Sequence, residues 1–214
     1  GVPTARAVVK TVFVQCNSMH RSPSFANNMA MAPVGETEFA QGVAAMSMSG
    51  LYGPCEIAAG IVSTADLTLG AAIEPVLRAQ MAAGRNFRGI RYLGGKAEQI
   101  PFADPKVKEA CGVLAKLGLS LDCNGPETHP LDFSYVLRGL KGLAEACPDL
   151  VIICDHCGGA AGPRSFADPS KEKEWRACIT ELASCPNVLA PYKISIHTNS
   201  TYKYRIYIIW SRYT

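Results

Sequence analysis

A chain of 214 residues, 48% hydrophobic and 18% charged, has the composition of a packed globular domain and not of a disordered one. Its net charge of +3 is too small and too scattered to mark a nucleic-acid surface. No run reaches the apolar length of a membrane span and the N-terminus has no signal-peptide pattern, so the expectation is a cytoplasmic protein acting on a small molecule, with no nucleic acid and no membrane as partner.

Residues 8–14 (VVKTVFV) predict a first strand from their β-branched and aromatic content. A polar loop over 15–33 follows, long enough to suggest function. The spacing of Phe39, Val43, Ala44 and Met46 predicts a helix over 36–48, with acids in its first turn as the helix dipole prefers. Residues 56–62 predict a second strand, and 70–83 a second helix with Pro75 near its first turn. A third strand over 87–93 carries Arg88 and Arg91. Asp104 as N-cap and Pro105 at the first helical position open a third helix through 117, which Gly118 closes. Residues 119–123 predict a fourth strand, 124–130 a loop with His129, and 134–146 a fourth helix.

Residues 150–154 (LVIIC), after the turn residues Cys147-Pro148-Asp149, predict a fifth strand buried on both faces, as in parallel sheets. It ends in Asp155-His156, and Gly158 and Gly159 let the backbone turn away. A carboxylate and an imidazole at the carboxyl end of a buried parallel strand stand where α/β proteins bind ligands. A fifth helix over 171–184 and a sixth strand over 188–192 complete the alternation. Strict βα alternation predicts parallel βαβ units, either in an open doubly wound sheet or in a barrel. The Tyr/Ile-rich stretch 194–214 changes character. It could pair at a sheet edge, supply a seventh strand, or extend without order.

Nine cysteines, spread singly among apparent strands and helices, suit free thiols better than a disulfide framework. Cys154 and Cys157 have C-x-x-C spacing, but at a strand end and without a second pair, which argues against a redox dithiol or a zinc knuckle.

Several segments together resemble the amidohydrolase superfamily, in the metal-dependent-hydrolase branch that includes pyrone-dicarboxylate lactonase and fuconolactonase. They are VGETEFAQGVAAMS (34–47), GLYGP (50–54), AGIVSTADL (59–67), FRGIRY (87–92), LAKLGLSLD (114–122), CPDLVIICDHCGG (147–159) and WRACITELASCPNV (175–188). The resemblance spans roughly residues 8 to 190 in the right order, which is more specific than any single motif. It implies a TIM-type (β/α) barrel with its active site at the carboxyl ends of the strands. It also implies that His156 is the histidine of a D-H-x-G motif and that Arg91, with Arg88 beside it, holds a substrate carboxylate in a bidentate fork. His129-Pro130 resembles the family's H-P step. Asp66 matches the loop acid after the A-G-I-V strand, where the family pattern has His in place of Thr64.

Two family features are missing. No H-x-H occurs in the chain, and no Asp or Glu follows Tyr192 to serve as the general base of the last strand. The chain therefore reads as an incomplete α/β barrel of about six βα units over residues 1–193, truncated at both ends, with a divergent tail over 194–214. The expected function is hydrolysis of a lactone, ester or amide bond in a small carboxylate-bearing molecule by an activated water. His156, Asp155 and Asp122 are the catalytic candidates, and Arg91, Arg88, His129 and Asp66 the substrate-binding ones. No cofactor is assigned. A divalent metal such as zinc would have to draw its ligands from His156, Asp155, His129 and Cys157. The alternative is a non-catalytic barrel remnant. Either way, open sheet edges lead us to expect a homo-oligomer. Residues 12–23 are similar to the phosphate loop of low-molecular-weight tyrosine phosphatases, but Cys16 and Arg21 enclose four residues where that chemistry needs five.

Overall fold

The structure, a computed structural model, describes residues 8–24, 28–92, 102–123, 133–159, 169–189 and 206–207. In chain order they form β1 (Lys10–Val14), α1 (Val34–Ser47), β2 (Glu56–Ser63), α2 (Glu74–Ala83), β3 (Phe87–Tyr92) and α3 (Pro105–Lys116). Then come β4 (Ser120–Cys123), α4 (Phe133–Ala146), β5 (Ile152–Cys154), α5 (Pro169–Leu182), β6 (Val188–Leu189) and β7 (Ile206–Tyr207). Asp104 caps α3 by accepting from the Lys106 N–H at 2.9 Å, and Gly118 turns the chain away at φ 68°, both as the sequence predicts.

The strands lie in the order β6-β5-β4-β3-β2-β1-β7. Neighbours from β1 to β6 are all parallel, and only β7 runs antiparallel. A doubly wound sheet reverses its order at a switch point; this one does not. Right-handed crossovers between strands laid down one after another put every helix on the same face. The six parallel strands curl into a half-barrel, an incomplete α/β barrel of the TIM type. Of the stretch 194–214 only Ile206 and Tyr207 are described, and they pair with Phe13 and Val12 at the sheet edge.

The two faces of the sheet differ in chemistry. Ile61, Ile90, Leu121 and Ile152 point toward the helices and join one apolar core with Leu77 of α2, Leu114 of α3 and Leu140 and Leu143 of α4. Burying a side chain of this size stabilises by about 1.5–3 kcal/mol. On the other face Val12, Val14 and Val62 form a small separate cluster. Period-two alternation places Arg91, next to Ile90, on that second face.

Two bulges set this alternation. In β3 the pairing passes from Ile61↔Phe87 to Val62↔Gly89, leaving Arg88 as an extra residue. Phe87 and Ile90, three apart, can thus both enter the helix-side core, and Arg91 is left on the polar side. In β2 the register slips opposite Lys10–Val12, and Ala58 takes φ 52°. Its N–H donates to Thr11 Oγ1 at 3.0 Å and its carbonyl accepts from Asn86 Nδ2 at 2.9 Å, which holds the bulge in place.

The helix expected over 70–83 is shorter than its pattern. Leu67–Ile73 forms 3₁₀ turns broken at Gly70, whose φ is 60°, and the α-helix proper begins at Glu74 with Pro75 in its first turn. A Cβ on Gly70 would come within 2.7 Å of Glu109 Oε2, so α3 crowds this turn closely.

Gly89 offers a direct check on the register. A Cβ there would lie 2.2 Å from Ser120 Oγ and 2.5 Å from the Ser120 carbonyl oxygen, and the latter is backbone in the next strand. Gly89→Ala is expected to destabilise by about 1–3 kcal/mol, lowering Tm by roughly 3–10 °C in thermal unfolding followed by circular dichroism. A variant that melts with the parent would contradict this β3–β4 packing.

Candidate active site

Parallel neighbours share one direction, so the carboxyl ends of β1 to β5 lie on one rim. Gln15, Thr64, Arg91, Asp122, Asp155 and His156 all stand at or just beyond those ends. Arg91 and Asp122 are direct register partners on β3 and β4. Asp155 follows β5 immediately, in the 3₁₀ turn Asp155–Gly159.

Arg91 and Asp155 form a dry ion pair. Arg91 Nε lies 3.1 Å from Asp155 Oδ2, and the two side chains are 1% and 2% exposed. The Nε–H is not aimed along a hydrogen-bond direction, and Arg91 Nη2 is buried with no acceptor among the described residues. Asp122 is buried beside them, its Oδ1 accepting weakly from Ser120 Oγ at 3.4 Å. Burial pushes the Asp122 carboxyl up to about 8, with the Asp155 charge adding to the rise and Arg91 and Ser120 opposing it. One guanidinium between two acids cannot neutralise both, so the acid without the direct ion pair keeps its proton. Near neutrality Asp122 is therefore a proton donor as well as an acceptor.

The arginine is aimed by its backbone. The Thr64 hydroxyl donates to the Arg91 carbonyl at 2.9 Å, and the Thr64 carbonyl accepts from Gln80 Nε2 at 2.8 Å. Gln80 Oε1 accepts in turn from the Thr37 hydroxyl at 2.6 Å. This chain runs from α1 through α2 to the end of β3, with both ends buried, and the Thr37–Gln80 bond is wholly shielded from water.

His156 is half-buried and carries φ 52°, a left-handed conformation unusual for a residue with a Cβ. The turn is tight because Gly158, at φ 75°, lies against α4: a Cβ there would meet Leu137 Cδ2 at 2.4 Å. Gly158 of the D-H-C-G-G stretch thus lets the turn that carries His156 pack closely on α4.

The other predicted site residues are placed differently. Arg88, the bulge residue, is exposed and donates to the carbonyls of Arg85 and Phe87 at 2.8 Å, toward the opposite end of the strand. A rise of about 3.3 Å per residue puts it roughly 10 Å from Arg91 along the strand. Asp66 is exposed and caps the 3₁₀ turns, accepting from the Thr68 N–H and hydroxyl at 2.8 and 2.7 Å. His129 lies outside the described residues. The structure therefore brings together Arg91, Asp122, Asp155 and the adjoining His156.

Two rim residues carried no sequence signal beyond polarity. Glu36, in the first turn of α1, is fully buried, and its Oε1 accepts from the Cys16 N–H at 2.9 Å and the Ser18 N–H at 3.0 Å. Its Oε2 lies 4.0 Å from His20 Nε2. Gln15 is buried at the end of β1, and neither its Oε1 nor Glu36 Oε2 has a hydrogen-bond donor among the described residues. Glu36 also disposes of the phosphatase-like reading of residues 12–23. The amides that would cradle a phosphate there already hold a carboxylate, and Arg21 is paired with Glu38.

The cluster makes two testable demands. An acid whose folded pKa is raised from 3.8 to about 8 favours the fold while protonated. Its contribution is full below pH about 4, is lost as pH rises toward 8, and changes no further above that. Asp122→Asn should flatten this part of the stability–pH curve and stabilise the protein relative to wild type above pH about 8, read from urea midpoints; an unchanged slope would refute the buried titration. Arg91→Met leaves Asp155 charged and buried and should cost about 3–5 kcal/mol. Arg91→Met combined with Asp155→Leu should recover much of that loss.

Comparison with known proteins agrees with the fold and the motifs. The sequence profile of an amidohydrolase family, Amidohydro_2, matches residues 56–208. An amidohydrolase from Burkholderia multivorans with bound HEPES is 18% identical, with a TM-score of 0.51 over 86% of this chain and 69% of that one. An amidohydrolase from the same organism with bound zinc is also 18% identical, with a TM-score of 0.50 over the same shares. A probable 2-pyrone-4,6-dicarboxylic acid hydrolase from Acinetobacter baumannii, with citric acid bound, is 12% identical with a TM-score of 0.37, over 86% of this chain and 82% of that one. No curated protein sequence matches. The two Burkholderia structures speak for the fold, and the profile match, covering well over half of the chain, establishes the family. The chain belongs to the amidohydrolases, a family of hydrolases.

Proposed function

We propose that the rim formed by Arg91, Asp122, Asp155 and His156 hydrolyses a lactone, ester or amide bond in a small, carboxylate-bearing molecule. The observation that carries this reading is the buried guanidinium of Arg91, paired with Asp155 and keeping Nη2 without an acceptor among the described residues. A buried donor without an acceptor costs about 1–3 kcal/mol, and an oxygen of the substrate would relieve it. Asp155 holds Arg91 in its orientation, so the guanidinium meets substrate oxygen without reorganising. His156, half-buried next to Asp155, takes the proton from the attacking water. Asp122, with a pKa of about 8, gives a proton to the leaving oxygen or nitrogen. The cleavage adds one water across the acyl bond and consumes nothing else.

The described residues do not fit a metal. No three His, Cys, Asp or Glu among them are grouped to hold an ion, and the carboxylate of Asp155 already faces a guanidinium.

The sealing of Arg91, at 1% exposure, favours a second reading, in which the Arg91–Asp155 pair pins β3 to β5 and does no chemistry. A panel of small lactones, aryl esters and anilides, each with and without a carboxylate, separates the two. The hydrolase reading expects turnover that prefers the carboxylate-bearing members and falls about 10²–10⁴-fold in His156→Gln, with the fold retained by circular dichroism. Unchanged turnover in that variant would remove His156 from the mechanism, and no turnover with any member would favour the pin.

A further inference from the structure

A second cluster of reactive side chains lies at the other end of the sheet. Cys111 is fully buried on α3, while Cys147 follows the last turn of α4, ahead of β5, and is half-exposed. Cys147 Sγ donates to the Lys108 carbonyl at 4.0 Å, one turn before Cys111 on the same helix. Side chains on a helix lean back over the preceding turn, so the Cys111 thiol lies toward the Lys108 carbonyl that Cys147 approaches, and the two thiols influence one another electrostatically. The backbone at Cys147 is fixed independently: its N–H donates to the Leu143 carbonyl at 2.9 Å. Asn187 Nδ2 also donates to the carbonyls of Ala144, Cys147 and Leu150 at 3.2, 3.1 and 2.9 Å. The two thiols are thus neighbours at one turn of α3, with the backbone of Cys147 fixed independently.

We propose that Cys111 and Cys147 are a redox pair, closed by a two-electron oxidant of the peroxide class into a disulfide that ties α3 to the turn between α4 and β5. Cys147 is the sulfur that solvent reaches, so it attacks first. Its thiolate forms a sulfur–oxygen bond with hydrogen peroxide as the oxygen–oxygen bond breaks, leaving a sulfenic acid and a hydroxide. That hydroxide takes the proton from Cys111 and becomes water. The Cys111 thiolate then forms the S–S bond as the sulfur–oxygen bond of Cys147 breaks, and the expelled hydroxide takes up the proton that Cys147 released on ionising and leaves as a second water. In sum, two thiols and one peroxide give one disulfide and two waters, with both electrons passing from sulfur to oxygen.

Burial pushes both thiols up, Cys111 to about 12, whereas Lys108 and Cys111 act in the opposite sense on Cys147. Cys147 is therefore the easier thiol to ionise, and closure should quicken as pH rises, because the thiolate is the reactive form. Cys123 and Cys154, register partners on β4 and β5, lie deeper and are fully buried.

The test treats the native full-length chain with hydrogen peroxide, denatures it in N-ethylmaleimide, and maps non-reduced peptides by mass spectrometry. The expected result is a linked Cys111–Cys147 peptide, loss of maleimide labelling at both positions and recovery of both thiols with dithiothreitol. Cys111→Ser should abolish the link and leave Cys147 as a sulfenic acid trapped by dimedone, and Cys147→Ser should leave Cys111 fully labelled. The proposal is overturned if wild-type Cys147 is oxidised while Cys111 is still labelled, if Cys111 links to Cys123 instead, or if neither thiol is consumed.

Discussion

The buried pairing of Arg91 with Asp155 is the constraint around which the polar side of this sheet is built. Removing a guanidinium and a carboxylate from water costs several kcal/mol for each ion, recovered only when the charges face one another in good geometry. A third ionisable group, Asp122, shares the same dry space and cannot be neutralised by the one arginine, so it holds its proton to about pH 8. One geometric fact, two register partners on β3 and β4 meeting an acid just beyond the end of β5, therefore sets both the charge state and the available proton. The hydrogen-bonded chain from Thr37 through Gln80 and Thr64 to the Arg91 carbonyl explains why the arginine end of β3 stays where the pair needs it.

Stability and chemistry are divided between the two faces of the sheet. The helix face is aliphatic and closely packed, with Ile61, Ile90, Leu121 and Ile152 in one core with residues of α2, α3 and α4. Among the described residues the opposite face carries a small valine cluster, and at its rim the ionisable groups. Such a division lets the rim tolerate unsatisfied donors and the left-handed backbone at His156, because burial on the other face supplies the stability. It also means that the bulge at Arg88 does more than bend a strand. By absorbing one residue it decides which of Arg88 to Arg91 point toward the helices.

Much of this was legible in the chain itself. Among the described residues, five helices and six parallel strands stand close to where periodicity and breakers put them, because those signals are local; α2 starts at Glu74 and β5 at Ile152, each later than its pattern. An Asp-Pro pair starts a helix and a glycine ends it whatever lies nearby, as at Asp104-Pro105 and Gly118. The candidate rim was legible in part: Asp155-His156 and Arg91 were visible as polar residues at the ends of apolar strands. Glu36 was not, since an acid in the first turn of a helix usually faces solvent and only the path of residues 15–18 buries this one. Nor were the 3₁₀ turns at Leu67–Ile73, which arise because Gly70 must make room for α3, an element more than thirty residues later.

Sequence alone determined the alternation of strand and helix, the apolar and polar residues of each strand, and the likeness to a family of hydrolases, because each depends on residues close together along the chain. The tertiary structure decided what depends on distant residues meeting. It chose a half-barrel with every helix on one side over a doubly wound sheet. It set the two bulges that assign each residue to a face, and it joined Arg91 to Asp155 and not to Arg88's end of the strand. The physical reason is that strand register, and the desolvation that shifts the Asp122 carboxyl, are properties of neighbours in space, which no stretch of sequence carries by itself.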